Sequence, residues 1–182
     1  MQDITVGNSQ VIRDWNLGGI FKLIHKLGPI SRKELAESTG YSAATVSNHV
    51  KTLIKEGFVI ETEKGNSTGG RKPVYLTVNP NKGYIFSIDI EVNKVKIVMF
   101  NLKLNLVMKS IIPILDKSNS DKVFDQIFVE IDKMMEEKKL KSDDILGMGI
   151  AVPGLIDKDN GILEFAPNLG WRKINILKIL GL

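Results

Sequence analysis

Two helix starts separated by one glycine constrain this chain more than any other feature. In GPISRKELAESTGYSAATVSNHVKTLIKEG, Ser31 and Glu34 stand in capping-box relation, so a short helix begins at Ser31 with Leu35 and Ala36 facing inward. Gly40 ends it as a C-cap, Ser42 opens the next helix, and Gly57 stops that one. Upstream, WNLGGIFKLIHKL (15–27) places Leu17, Ile20, Phe21, Leu23, Ile24 and Leu27 at helical spacing, and Gly28-Pro29 ends the run. Downstream, residues 58–62 and 73–78 alternate like strands around EKGNSTGGRK, a tip of about ten residues. Three helices followed by a two-stranded wing describe a winged helix-turn-helix.

The helix after Ser42 has two unlike faces. At about 100° per residue, Val46, Val50, Leu53 and Ile54 gather on one side. Ala44, Thr45, Asn48, Lys51, Thr52 and Lys55 lie opposite. Small side chains let a backbone approach base edges, an Asn amide pairs with adenine, and a Thr methyl touches thymine. Lysines suit phosphates, which give affinity without sequence information. At the wing tip, Gly69 and Gly70 carry nothing that obstructs close approach, Arg71 suits a narrow minor groove, and Lys72 suits phosphate. The candidate DNA-binding residues are therefore Ser42, Ala44, Thr45, Ser47, Asn48, Lys51, Lys55, Gly69, Gly70, Arg71 and Lys72. Taken singly, each is an ordinary solvated residue; the order of elements favours DNA. His25 and His49 are read as surface or rim residues.

Bulk properties narrow the classes further. Residues 1–79 carry 10 Lys and Arg against 7 Asp and Glu, and residues 80–182 carry 15 against 14, so the slight basic excess sits in the first part. With no cysteine and two isolated histidines, disulfides and thiolate zinc sites are excluded, no metal site is expected, and a reducing cytoplasm is compatible. No apolar run is long enough for a membrane helix and the N-terminus has no signal-peptide pattern, so no membrane role is expected.

Asn79-Pro80-Asn81-Lys82-Gly83 is turn-forming punctuation, which sets expected domains at 1–79 and 80–182. Beyond it, residues 84–90, 94–100 and 105–114 read as three strands, mostly antiparallel, and 120–139 as a helix. ILGMGIAV (145–152) reads as a buried strand, PGLIDKDNGILEF as a loop and tight hairpin, and WRKINILKILGL as the start of another helix.

GPISRKELAESTGYSAATVSNHVKTLIKEGFVIE with STGGRKP, and DILGMGIAVPGLIDKDNGILEFAPNLGW, together resemble the ROK family of sugar-responsive repressors and sugar kinases, with xylose-type repressors as the subgroup. The resemblance implies a mixed α/β chain: a winged helix-turn-helix followed by the first lobe of an actin-like ATPase domain, incomplete and truncated within the sugar-binding domain. It matches Pro153, Gly154 and Leu155 to the family's sugar-side loop, and Ala166, Pro167 and Asn168 to a segment approaching the sugar, so Pro153, Gly154, Leu155 and Asn168 are the candidate effector residues. Turn formation is an equal reading of Pro153-Gly154 and of Asn168. Trp171 is read as core in preference to sugar stacking. In the family's kinases the first strand ends in D-x-G-G-T-K. Here it reads Asp89-Ile90-Glu91-Val92-Asn93-Lys94. Both glycines and the threonine are replaced, and a carboxylate at Glu91 repels phosphate, which implies lost ATP binding. The family's catalytic Asp, its Glu and His sugar contacts and its Cys-rich zinc motif would follow Leu182, and none is assigned here.

The expectation is a non-enzymatic, sequence-specific repressor, acting in the cytoplasm as a homodimer on double-stranded operator DNA. Its effector is xylose or another monosaccharide, and it needs no cofactor. The alternatives are a ROK-type sugar kinase with an added DNA-binding domain, or a truncated DNA-binding fragment that no longer senses sugar.

Overall fold

The computed structural model describes residues 9–63 and 74–181, with side chains at 15–62 and 74–181. The chain divides into two compact units, one ending at Lys82 and the next beginning at Gly83.

In the first unit, α1 (Ser9–Leu27), α2 (Arg32–Thr39) and α3 (Ala43–Lys55) surround a small sheet. The first helix begins at Ser9 rather than at Trp15, because residues 9–14 hold neither Gly nor Pro to stop it. Helix α2 starts as its sequence dictates. The Ser31 Oγ accepts the Glu34 N–H at 3.2 Å, and the Glu34 carboxylate accepts the Ser31 N–H at 2.7 Å. Gly40 then takes φ 70°, a left-handed conformation that a Cβ would penalise, and its N–H caps the Ala36 carbonyl. At the end of α3 the N–H groups of Gly57 and Phe58 donate to the Ile54 and Leu53 carbonyls, the double closure of a Schellman turn.

Strands β2 (Val59–Glu63) and β3 (Val74–Val78) pair antiparallel from Val59↔Val78 to Glu63↔Val74, and β1 (Ile30–Ser31) joins β3 on its other side. The core beneath them is Ile20, Ile24, Leu35, Val46, Val50, Leu53, Val59 and Leu76, all buried. Polar ties reinforce it: the Tyr41 hydroxyl donates to Asn16 Oδ1 at 2.8 Å, and Arg32 pairs with Glu61 at 2.7 Å. Three helices and a two-stranded wing make this unit a winged helix-turn-helix.

The second unit is built on a four-stranded sheet in the order β6-β5-β4-β7. Strands β4 (Tyr84–Ile90), β5 (Lys94–Asn101) and β6 (Leu106–Pro113) run antiparallel, while β7 (Ile145–Ala151) lies parallel to β4. Helix α4 (Ser120–Lys138) covers one face, setting Val123, Phe124, Ile127 and Ile131 against Phe86, Ile88, Ile97 and Met99. A second sheet of β8 (Leu155–Asp157), β9 (Ile162–Ala166) and β10 (Trp171–Asn175) follows, and α5 (Ile176–Ile179) ends the described chain.

Two expectations change here. Residues 171–175 form a strand, because Arg172 lies 3.9 Å from the Phe165 ring and Lys173 pairs with Glu164 across β9; the helix starts only where the Asn175 side chain caps it. Strand β7 is not buried. It sits at the sheet edge, Leu146 to Gly149 are exposed, and a Cβ on Gly147 or Gly149 would meet nothing within 4 Å. An apolar run reports affinity for an interior, and among the described residues no element covers that face. Helix α5 packs on its own unit, with Ile176 and Ile179 against the core.

Candidate nucleic-acid interface and effector site

Helix α3 is fixed by Ser42, whose Oγ accepts the Thr45 N–H at 3.1 Å and lies 2.9 Å from the Thr45 hydroxyl. That hydroxyl is committed to the cap. The cap leaves the first turn's remaining N–H groups at the exposed end of the helix. Ala44, Asn48, Lys51 and Lys55 are exposed, and Thr45 and Ser47 are half-buried. Their opposite face buries Val46, Val50 and Leu53 and half-buries Ile54. The polar side chains therefore project from a helix that cannot roll without exposing its core residues. Thr52 is less available, since its hydroxyl donates to the Asn48 carbonyl at 3.2 Å.

His49 departs from its expected rim position. It is 9% exposed and, with Thr45, Asn48 and Thr52, lines a recess of about 550 Å³ beside the helix. At helical spacing it falls next to Val46 and Val50, on the boundary between the two faces, where a polar residue type is a poor guide to burial. Gly69, Gly70, Arg71 and Lys72 lie outside the described residues; the strands that lead to them are in place.

In the second unit, a cavity of about 660 Å³ opens at the carboxyl ends of the parallel strands β4 and β7, lined by residues 89–94 and 151–153. Such strand ends are where open α/β sheets commonly receive ligands. Its charged lining residues, Asp89, Glu91 and Lys94, are engaged by one another and by Lys96, which does not itself line the cavity. The Glu91 carboxylate meets Lys94 Nζ at 3.2 Å and Lys96 Nζ at 3.3 Å, and Asp89 meets Lys96 at 3.4 Å. The hydrogen bond from Lys94, aided by Lys96, holds the Glu91 carboxyl below the usual glutamate value. Glu91 and then Asp89 raise the Lys96 ammonium above its ordinary value. None of Glu91, Val92 or Asn93 adopts a left-handed φ, so this turn forms without the glycines that a phosphate-gripping loop uses.

The four candidate effector residues do not share this cavity. Pro153 lines it, whereas Gly154, Leu155 and Asn168 do not. Gly154 is pressed against β9: a Cβ there would stand 2.5 Å from the Phe165 carbonyl oxygen, so its packing alone requires glycine. Leu155 is 69% exposed, and Asn168 is exposed in the turn between β9 and β10. Trp171 is core, stacked near Phe124 at 6.1 Å with its indole N–H donating to the Lys117 carbonyl at 2.7 Å, and offers no face to a sugar. Lys96 was not among the sequence candidates. Its signal was the hairpin register, which places it directly opposite Asp89.

The family description of ROK proteins matches residues 85–181. The chain belongs to the ROK family. A winged helix-turn-helix DNA-binding description matches residues 17–60. Over 172 residues the chain is 36% identical to the xylose repressor of Bacillus subtilis (strain 168), covering 94% of this chain and 44% of that protein. It is 22% identical over 176 residues to the N-acetylglucosamine repressor of Escherichia coli O157:H7, covering 95% of this chain and 43% of that protein. Among solved structures, a ROK family transcriptional regulator described as a homolog of the E. coli MLC protein matches with a TM-score of 0.72 at 24% identity, over 94% of this chain and 44% of that one. That likeness is one of fold. It makes the second unit part of the actin-like ROK domain, and the chain spans less than half the length of the relatives it matches.

Proposed function

We propose that this chain is the DNA-reading and part of the sugar-sensing portion of a sequence-specific transcriptional repressor that has no kinase activity. One observation carries the reading: α3 buries Val46, Val50 and Leu53 and exposes Ala44, Asn48 and Lys51 on its other side. Asn48 would read a base edge, with the Thr45 methyl beside it. Lys51 and Lys55 would hold phosphates, Ser42 and Ser47 would flank the first turn, and the wing tip at Gly69, Gly70, Arg71 and Lys72 would enter the neighbouring groove. Domains are assigned as 1–79 for DNA reading and 80–182 for the effector, a division that the compact units support with their break after Lys82.

Two copies would act together on a near-palindromic operator, because half-sites about 34 Å apart require two reading helices at matched spacing. A sugar held near Pro153, Gly154, Leu155 and Asn168 would alter that spacing and release DNA. Xylose is the first sugar to test, given the name of the Bacillus subtilis relative, and N-acetylglucosamine the second. The working place of such a regulator is the cytoplasm; among the described residues no helix is long and apolar enough to cross a membrane. The Asp89–Lys94 turn supports the non-enzymatic reading, since its lysine, Lys94, is already engaged by the Glu91 carboxylate.

Selection of bound duplexes from a random pool tests the proposal. The expected result is enrichment of one half-site motif, with retention altered by one sugar of a panel. Uniform retention of all sequences, or ATP consumption that depends on a sugar, would overturn it.

A further inference from the structure

The polar side of α3 divides into two strips. Lys51 and Lys55 stand one turn apart on one flank, both exposed. Thr45, Asn48, His49 and Thr52 follow the i, i+3, i+4, i+7 spacing of a single strip on the other flank, and together they line the recess of about 550 Å³. The two strips differ in chemistry as well as in angle. Among the described residues no lysine, arginine or carboxylate lines the recess, so it offers neutral donors and acceptors.

His49 is the anomaly in that strip. It is 9% exposed, yet among the described residues its imidazole makes no hydrogen bond to the side chains beside it. No fully enclosed side-chain nitrogen or oxygen among the described residues lacks a partner, so the ring nitrogens are not sealed inside the fold; they open on the recess that the residue lines. The neighbouring hydroxyls are already engaged. That of Thr45 pairs with the Ser42 hydroxyl, and that of Thr52 donates to the Asn48 carbonyl. The Asn48 amide and the His49 imidazole are left to serve a partner from outside. A nearly buried polar ring without a partner costs stability that an apolar side chain at this position would not.

We propose that His49 is a specificity-determining residue that hydrogen-bonds a base edge received at this recess, beside Asn48. The inference rests on the reading of α3 as the helix that enters the major groove. A neutral imidazole presents one donor and one acceptor, and base edges in the major groove display both kinds. Phosphates draw their partners from cations, and the lysines stand on the other flank. The strip from Thr45 to Thr52 is about 10 Å long, the height of about three base pairs. The lysine flank then fixes the register of the helix on the backbone, and the neutral flank reads sequence.

Titration of the 182-residue chain against a selected duplex, its single base-pair variants and a scrambled duplex tests the proposal. His49→Phe keeps a ring in place and removes both nitrogens. It should weaken binding to the selected duplex by about fivefold and leave the scrambled duplex almost unchanged. It should also flatten the preference at one base pair and preserve it at the others. His49→Leu removes the same nitrogens and repeats the test should the Phe variant unfold. Unchanged preference at every base pair would overturn the proposal. So would equal losses on the selected and scrambled duplexes, which a purely structural His49 would give. If the unaltered chain selects no duplex, the repressor reading fails and takes this proposal with it. If it selects one, and Asn48→Ala loses preference while His49→Phe does not, this proposal alone fails.

Discussion

The outer face of α3 and the turn after β4 are both rich in lysine and in hydrogen-bonding side chains, yet they are built oppositely. On α3, Asn48, Lys51 and Lys55 are exposed, and no described side chain forms an ion pair with either lysine. At the β4 turn, Lys94 and Lys96 are met by Glu91 and Asp89 within 3.4 Å. The first region leaves its lysines without an ionic partner among the described residues, and the second satisfies its charges internally. Lysine content alone does not mark an anion site; the position of the nearest carboxylate decides.

Variants can break this contrast at several depths. The largest expected effect is on the scaffold of the first region. Leu35→Ala empties a fully buried position on α2, which packs against α3, and should cost about 2–5 kcal/mol in denaturant unfolding. DNA binding should fall with it. Retained binding despite that loss would show that α3 needs no packing support. Next comes the cap. Ser31→Ala removes the side-chain half of the reciprocal Ser31–Glu34 pair, in which the Ser31 hydroxyl accepts the Glu34 N–H, and should cost about 1 kcal/mol.

The Ser31 effect also has a pH signature. The Ser31 backbone N–H, then its hydroxyl, holds the Glu34 carboxyl below its ordinary 4.5. A depressed carboxylate adds stability above the unfolded value and loses it as pH falls through the folded one. Ser31→Ala keeps the backbone N–H and loses only the hydroxyl's smaller share, so its gap from the unaltered chain should narrow slightly as pH drops below about 4.5. A gap that widens on acidification would contradict the capping role. The smallest change is at Lys51. Its replacement by Ala should weaken binding almost equally on all sequences and flatten the salt slope of log K by about 1, read from titrations at several salt concentrations.

Legibility in the sequence followed the range of the interaction responsible. Ser31, Glu34, Gly40, Ser42 and Gly57 act within their own helix ends, and each signal lies within a few residues of its consequence. The two faces of α3 were likewise local. Strand β10 was missed because its cause is remote: Arg172 and Lys173 answer Phe165 and Glu164 on another strand, and that pairing outweighs a helix-compatible sequence. Lys96 was missed for the same reason, since its partnership with Asp89 appears only once the hairpin register is known. Exposure of β7 depends on which elements cover it, and that is not encoded in ILGMGIAV itself. His49 sits at the border between the two faces of α3, and its burial depends on what packs around that border.

Asn48 bears the central claim most directly. Affinity of the unaltered chain and of Asn48→Ala should be measured at one salt concentration, on a selected duplex and on a scrambled duplex. The account predicts a loss of about 1–3 kcal/mol on the selected duplex and almost none on the scrambled one. Equal losses on both, or no loss on either, would contradict the assignment of α3 as the reading helix.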